Sequence, residues 1–281
     1  MQPREKRMNN LTDWVGKQEI RKELISQQPL DGFAALMDED APAPAIVPPG
    51  GHWMYFLPVD RQSRLASDGH AFKGDFLPPI ELPRRMWAGG RLQFAAPIKT
   101  GDHTVKTSTI KSVAPKEGRT GKLVFVTVEH RVENEKGLCL TEEHDLVFRE
   151  AANPNAPAKG LEPAPMDGAW DEEITPDPVL LFRYSALTFN GHRIHYDREY
   201  CLEEEGYPGL IIHGPLMGTL LMRLAEKRMG KPLKRFDFRN YNPIFDTASF
   251  TITGKPDGDD ACTVWVRGPN GELGVKATAE F

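Results

Sequence analysis

The 281-residue chain carries 40 acidic and 35 basic side chains, a formal charge of -5, and is 40% hydrophobic and 27% charged. That balance belongs to a folded chain rather than a disordered one, and it offers no basic surface to a nucleic acid. The longest apolar stretch, 209–212 continued by 216–224, is broken by His213, Pro215 and Arg223 and falls short of the ~20 apolar residues of a membrane span.

The first ten residues are basic and polar with no apolar run behind them, so no secretory signal is expected there. Residues 12–26 read as an amphipathic helix and 31–37 as a shorter apolar one. The Pro- and Ala-rich passage 40–51 reads as a surface loop. Residues 90–101 form a strand-like segment ahead of a hairpin, in which 122–132 and 138–148, rich in β-branched and apolar residues, flank a turn at 133–137. A second Pro-, Ala- and Gly-rich passage, 151–168, lacks either periodicity and is taken as the link between a first half, 1–150, and a second half, 169–281. In the second half Met217, Leu220, Leu221 and Leu224 repeat with helical spacing, Pro215 suits a first helical turn, and Gly230 with Pro232 ends the helix. Residues 239–250 parallel 90–101, and 261–267 with 272–281 make a closing hairpin whose Asn270-Gly271 predicts a type I′ turn. The two halves therefore read as two copies of one α+β unit.

Cys139, Cys201 and Cys262 lack paired spacing, which argues against a disulfide framework or a thiolate zinc site and fits a reducing cytoplasm. The chemistry concentrates in Phe189-Asn-Gly-His-Arg-Ile-His-Tyr-Asp197 and the following Gly209-Leu-Ile-Ile-His-Gly-Pro215. His195 is an imidazole able to take a proton near neutral pH. Asn190 stands five residues before it, as a water-orienting amide or simply as a turn residue. Gly214, at the entrance of the apolar helix, offers a free N–H at the positive end of the helix dipole, as does Leu216, whereas Pro215 offers none. Together these suit addition of water to an α,β-unsaturated thioester: a base for the water, a proton for the α-carbon, and donors for the enolate oxygen. His192, His195 and His213 find no carboxylate or cysteine at a ligand spacing, so no metal site is expected, and His213 reads as a structural partner at the helix entrance. The remaining histidines, His70 among them, receive no role.

These two segments resemble the hydratase motif and following central helix of the MaoC-like hydratases and dehydratases of the hot-dog fold. The family pattern S-G-D-x-N-P-x-H places its histidine on His195, its aspartate on Asn190, its Asn-Pro pair on His192 and Arg193, and its oxyanion glycine on Gly214. Only the histidine and the glycine agree in kind. With Pro83-Arg-Arg-Met-Trp-Ala-Gly-Gly-Arg-Leu-Gln-Phe94, the motif is more similar to the double hot-dog branch that holds hydroxyacyl-thioester dehydratase type 2 relatives and the hydratases of itaconyl-CoA and mesaconyl-CoA. The resemblance implies an α+β double hot-dog. Its first half shapes the acyl and CoA cavity without carrying the motif, and the site lies at the junction of the halves. It implies reversible hydration of a short branched enoyl-CoA ending in a carboxylate, to a product such as citramalyl-CoA, without a cofactor.

On that reading the partner is an acyl-CoA, with no nucleic acid or membrane, and whether two chains pair as a homodimer stays open. A carboxylated acyl chain calls for a cation at the end of its pocket, and Arg84, Arg85, Arg91, Arg183 and Arg193 are the candidates, either for that carboxylate or for CoA phosphates. The plainer reading of Arg84 and Arg85, a solvated edge over Trp87, stands beside it. Two alternatives are carried: a dehydratase of longer 3-hydroxyacyl thioesters in fatty-acid or polyketide synthesis, and a hot-dog module that binds acyl-CoA without turning it over.

Overall fold

A computed structural model of the chain describes residues 11–39, 45–118, 121–150 and 160–281. In chain order these hold β1 (Gln18–Leu24), α1 (Gln28–Leu36), β2 (Arg84–Phe94), β3 (His103–Gly118), β4 (Gly121–Asn134) and β5 (Gly137–Arg149). There follow β6 (Trp170–Ile174), α2 (Pro178–Thr188), α3 (Arg198–Glu203), α4 (Gly214–Met229), β7 (Arg235–Asn240), β8 (Phe250–Pro256), β9 (Ala261–Arg267) and β10 (Leu273–Glu280). All ten strands join one antiparallel sheet in the order β1-β3-β4-β5-β2-β7-β10-β9-β8-β6.

The seam between the strands of the first and second segments is the β2–β7 ladder, Gly89↔Arg239 through Gln93↔Arg235. Glycines are needed there. A Cβ on Gly90 would stand 2.7 Å from the Glu143 carbonyl and 2.8 Å from the Phe238 ring. The ladder of β2 with β5 shifts register between Trp87 and Gly89, and Asn240 Nδ2 donates to the Trp87 carbonyl freed by that bulge (2.6 Å).

α4 lies across the second-segment strands. Leu216, Met217, Leu221, Met222, Leu224 and Ala225 are all buried, and Gly230 in the left-handed region (φ 66°) ends the helix as expected. α1, with Leu30, Phe33 and Leu36 buried, joins the same core as Leu92, Val132 and Leu140 of the first-segment strands. A second cluster, built on Ile110, Val113, Val126, Val128 and Phe148, is covered by Phe76, Leu77 and Ile80 of the long connection into β2.

The N-terminal helix expected over 12–26 is not there. Residues Leu11–Trp14 make one 3-10 turn, Gly16 takes φ 85°, and β1 pairs with β3 as an edge strand with strictly alternating burial. The left-handed glycine stops the helix and the ladder with β3 sets the strand, although its inward positions are the charged Glu19, Arg21 and Glu23 and its apolar Ile20 and Leu24 lie exposed. The last hairpin also departs from the type I′ turn: Gly271 has φ 81° but Asn270 does not enter the left-handed region. Instead Gly271 N–H donates to Gly268 O (3.0 Å) and Gly268 N–H to Glu272 O (2.8 Å), a turn closed by a left-handed glycine. Of the passage 151–168, residues 151–159 lie outside the described residues, as do 40–44 of the 40–51 loop. Residues 160–168 pack on the second segment, with Ala164 N–H donating to Gly271 O (2.9 Å) and Trp265 Nε1 to Pro165 O (3.1 Å).

Candidate active site

α2 delivers the motif. Asp177 caps it by accepting from Leu180 N–H (2.7 Å), and it ends abruptly at Phe189, a left-handed C-cap (φ 49°) after which Asn190 N–H returns to Ser185 O (2.8 Å). Asn190 Oδ1 then accepts from His192 N–H (3.0 Å), an Asx turn. Its Nδ2 has no hydrogen-bond partner among the described residues and is free to donate to a water. The chain makes a 3-10 turn over Arg193–His195, and Asp197 starts α3 by accepting from Tyr200 N–H (3.1 Å).

His195 is 7% exposed, and its Nδ1 bonds Ile211 O at 2.7 Å. A carbonyl can only accept, so Nδ1 carries the proton and Nε2 keeps its lone pair. Burial pushes its pKa down to about 4, so the ring is neutral at neutral pH. It stacks on His213 with centroids 3.8 Å apart and an interplanar angle of 18°. His213 is fully buried, bonds Ser185 Oγ through Nε2 (2.8 Å), and is the N-cap residue of α4. Immediately after it, Gly214 and Leu216 present N–H groups with no intrahelical acceptor. A Cβ on Gly214 would stand 3.1 Å from Asn240 Nδ2, the same amide that holds the Trp87 bulge.

The loop 66–70, in the connection before β2, is pressed onto the motif. Arg193 N–H donates to Asp68 O (2.9 Å) and Arg193 Nη1 to Ser67 O (3.1 Å). Gly69 (φ 90°) lies so near Gly191 that a Cβ would overlap the Gly191 carbonyl oxygen. This docking sets the His70 ring 4.0 Å from that of His192, which meets the His195 ring edge-on at 5.5 Å. Asp68 accepts twice from His70, through Oδ1 from the backbone N–H and through Oδ2 from ring Nδ1, both at 2.9 Å. That pairing holds the Asp68 carboxyl well below the usual range against the opposing effect of burial. Asp68, His70 and His192 offer ligand atoms all within 4.8 Å of one another.

The five arginines part company. Arg84 pairs with Glu205 (2.9 Å), and Arg193 is spent on Asp197 (Nε, 2.9 Å) and on the 66–70 loop. Arg91 points to the opposite face of β2 from the buried Leu92 and is held by Glu143 and Asp145 (2.5 and 2.7 Å). Arg183 is exposed on α2. Arg85, half-buried, stands close enough to Asp68, His70 and His192 to act on all three electrostatically, yet has no hydrogen-bond or ion-pair partner among the described residues. Neither Asp68 nor His70 was given a role from the sequence; the nearest signal was Asp68-Gly-His70, a tight-turn glycine between two titratable groups.

The family model of hydroxyacyl-thioester dehydratase type 2 matches residues 50–246. The chain belongs to this family. A relative from Chloroflexus aurantiacus, named mesaconyl-C(4)-CoA hydratase, is 43% identical over 271 residues, 95% of this chain and 96% of that one. The mitochondrial hydroxyacyl-thioester dehydratase type 2 of Schizosaccharomyces pombe is 28% identical, over 80% of this chain and 86% of its own. Among solved structures, HtdX of Mycobacterium tuberculosis superposes with a TM-score of 0.66 at 17% identity, covering 94% of this chain and 99% of its own. A second M. tuberculosis protein, described as a double hot-dog, gives 0.51 at 13% identity, covering 95% of this chain and 96% of its own. This family member is a hydro-lyase of double hot-dog, α+β architecture, as the resemblance implied. Among its described residues no helix is long and apolar enough to cross a membrane.

Proposed function

We propose that the chain adds water reversibly to a short branched dicarboxylic enoyl-CoA, such as mesaconyl-C4-CoA or itaconyl-CoA, to give citramalyl-CoA. The observation that carries this reading is the 43% identity, over nearly the whole of both chains, to a protein named for that reaction. An unpaired Arg85 beside the His192–His195 turn supports the carboxylated substrate, since a planar guanidinium meets a carboxylate through two hydrogen bonds.

In the proposed cycle the second segment carries the chemistry, and 1–150 shapes the cavity. The thioester carbonyl lies on the Gly214 and Leu216 N–H groups. His195 Nε2 takes a proton from water while the water oxygen bonds the β-carbon, the C=C π pair becomes the bond between the α-carbon and the carbonyl carbon, and the C=O π pair moves onto the thioester oxygen as an enolate. The enolate then takes the same proton back at its α-carbon, which restores neutral His195 and closes the balance. Asn190 Nδ2 steadies the water. The three buried free cysteines suit a reducing compartment such as the cytoplasm.

The test is hydration of mesaconyl-C4-CoA and itaconyl-CoA against crotonyl-CoA and octenoyl-CoA, with products identified. Faster turnover of the carboxylated esters is expected, with loss of roughly two or more orders of magnitude in His195→Ala. Preference for octenoyl-CoA would favour the dehydratase of longer thioesters, a dehydratase also being what the S. pombe relative is named, and tight binding without turnover would favour a binding module.

A further inference from the structure

We propose that Asp68 and His70, on the loop that the first half lays against the motif, form the second water-holding centre of the reaction, in the place left by the amide at position 190. The inference rests on the hydratase reading. Among family-pattern positions the carboxylate is missing at Asn190, whose Oδ1 is already bound to His192 N–H. A carboxylate nevertheless reaches the site from far along the chain, behind an imidazole. Because an ionised carboxylate only accepts, Asp68 Oδ2 fixes the proton of His70 on Nδ1 and leaves Nε2 as an acceptor. His195 is fixed in the same tautomer by Ile211 O. Two rings on either side of His192 thus each present a lone pair, and a water has two O–H bonds to give them. His195 takes one proton as the C–O bond forms; His70 holds the other O–H, so the nucleophile is aimed by two acceptors rather than one.

A metal ion fits the cluster less well. Both Asp68 oxygens already accept from His70, whose Nδ1 is thereby protonated and not a ligand, and Arg85 and Lys73 act on the ring as cations. The loop itself is built to stay, pinned by Arg193 and closed on Gly191 through Gly69.

Asp68→Asn is the sharp variant. The amide oxygen must stay on His70 N–H, which turns the NH2 toward Nδ1 and forces the ring proton onto Nε2, so the acceptor becomes a donor. Asp68→Asn and His70→Gln are each expected to lower kcat about 10- to 100-fold with KM within about threefold. The double variant should be no slower than His70→Gln alone, because Asp68 acts through His70. Nitrogen NMR should find His70 protonated on Nδ1 in the wild type and on Nε2 in Asp68→Asn. Variants within threefold of wild type, multiplicative losses in the double variant, an Nε2-protonated wild-type ring, or activity lost to a chelator and restored by zinc would each overturn the proposal. No turnover of any ester of the panel by the wild type would instead sink the hydratase reading, and this one with it.

Discussion

Arg85, the second residue of the seam strand, makes no ion pair among the described residues, whereas Arg84, one residue earlier, is spent on Glu205. Leaving a half-buried guanidinium unpaired costs free energy, and a substrate carboxylate returns it. Arg85→Gln should therefore raise KM for mesaconyl-C4-CoA by about 10- to 100-fold, the equivalent of about 1.5–3 kcal/mol for a charge-assisted hydrogen bond. Crotonyl-CoA should change by about twofold or less, and steady-state kinetics on both esters checks the difference. The places of His195 and Gly214, to which the proposed roles are attached, were legible in the sequence because they depend on near neighbours: a turn, and a helix start. The choice among five arginines was not legible. Arg91 is held by Glu143, its partner in the β2–β5 ladder, and by Asp145, which faces Gly89, an arrangement that only the register reveals.

At the scale of elements, the central helix was readable because its stripe, first-turn proline and closing glycine agree, and α1 was readable from its short apolar run. β1 was not: its inward positions are the charged Glu19, Arg21 and Glu23, its apolar Ile20 and Leu24 face outward, and only pairing with β3 reveals it. The 66–70 loop escaped notice for another reason, since its meaning lies in what it touches. Gly69→Ala adds a methyl group that must displace the Gly191 carbonyl and occupies φ 90° at a cost. The loop should lift from the motif, lowering kcat about tenfold or more, while Tm falls by only a few degrees because the α4 core is untouched. Kinetics beside a thermal melt separates these effects, and a deep loss of Tm with normal turnover in the residual folded protein would refute it.

Over the whole molecule, buried histidines tie stability to pH. Burial holds His195, His192, His213 and His130 below 6.5, so the unfolded chain takes up their protons first. Stability is then complete above about pH 6.5 and falls as pH drops toward the folded values. His195, at about 4 in the folded state, alone removes on the order of 2 kcal/mol by pH 5. Glu142, buried between His52 (3.2 Å), His144 (2.6 Å) and Trp53 (2.8 Å), is held well below its ordinary value despite burial, chiefly by His144 and His52. Its contribution is lost in the same direction at lower pH. Tm should fall by roughly 5 °C or more between pH 7.5 and pH 5, and less in His195→Gln. A melt that does not move would contradict these burial effects.

The sheet ends at β6, Trp170-Asp-Glu-Glu-Ile174, whose outer edge has no neighbour among the described strands. An open edge is a template for a stranger's backbone. If two copies approached antiparallel through this strand, centred on Glu172, Asp171 of each would oppose Glu173 of the other, a ladder of like charges. Like charges facing one another make β6 a poor edge for a second copy to join.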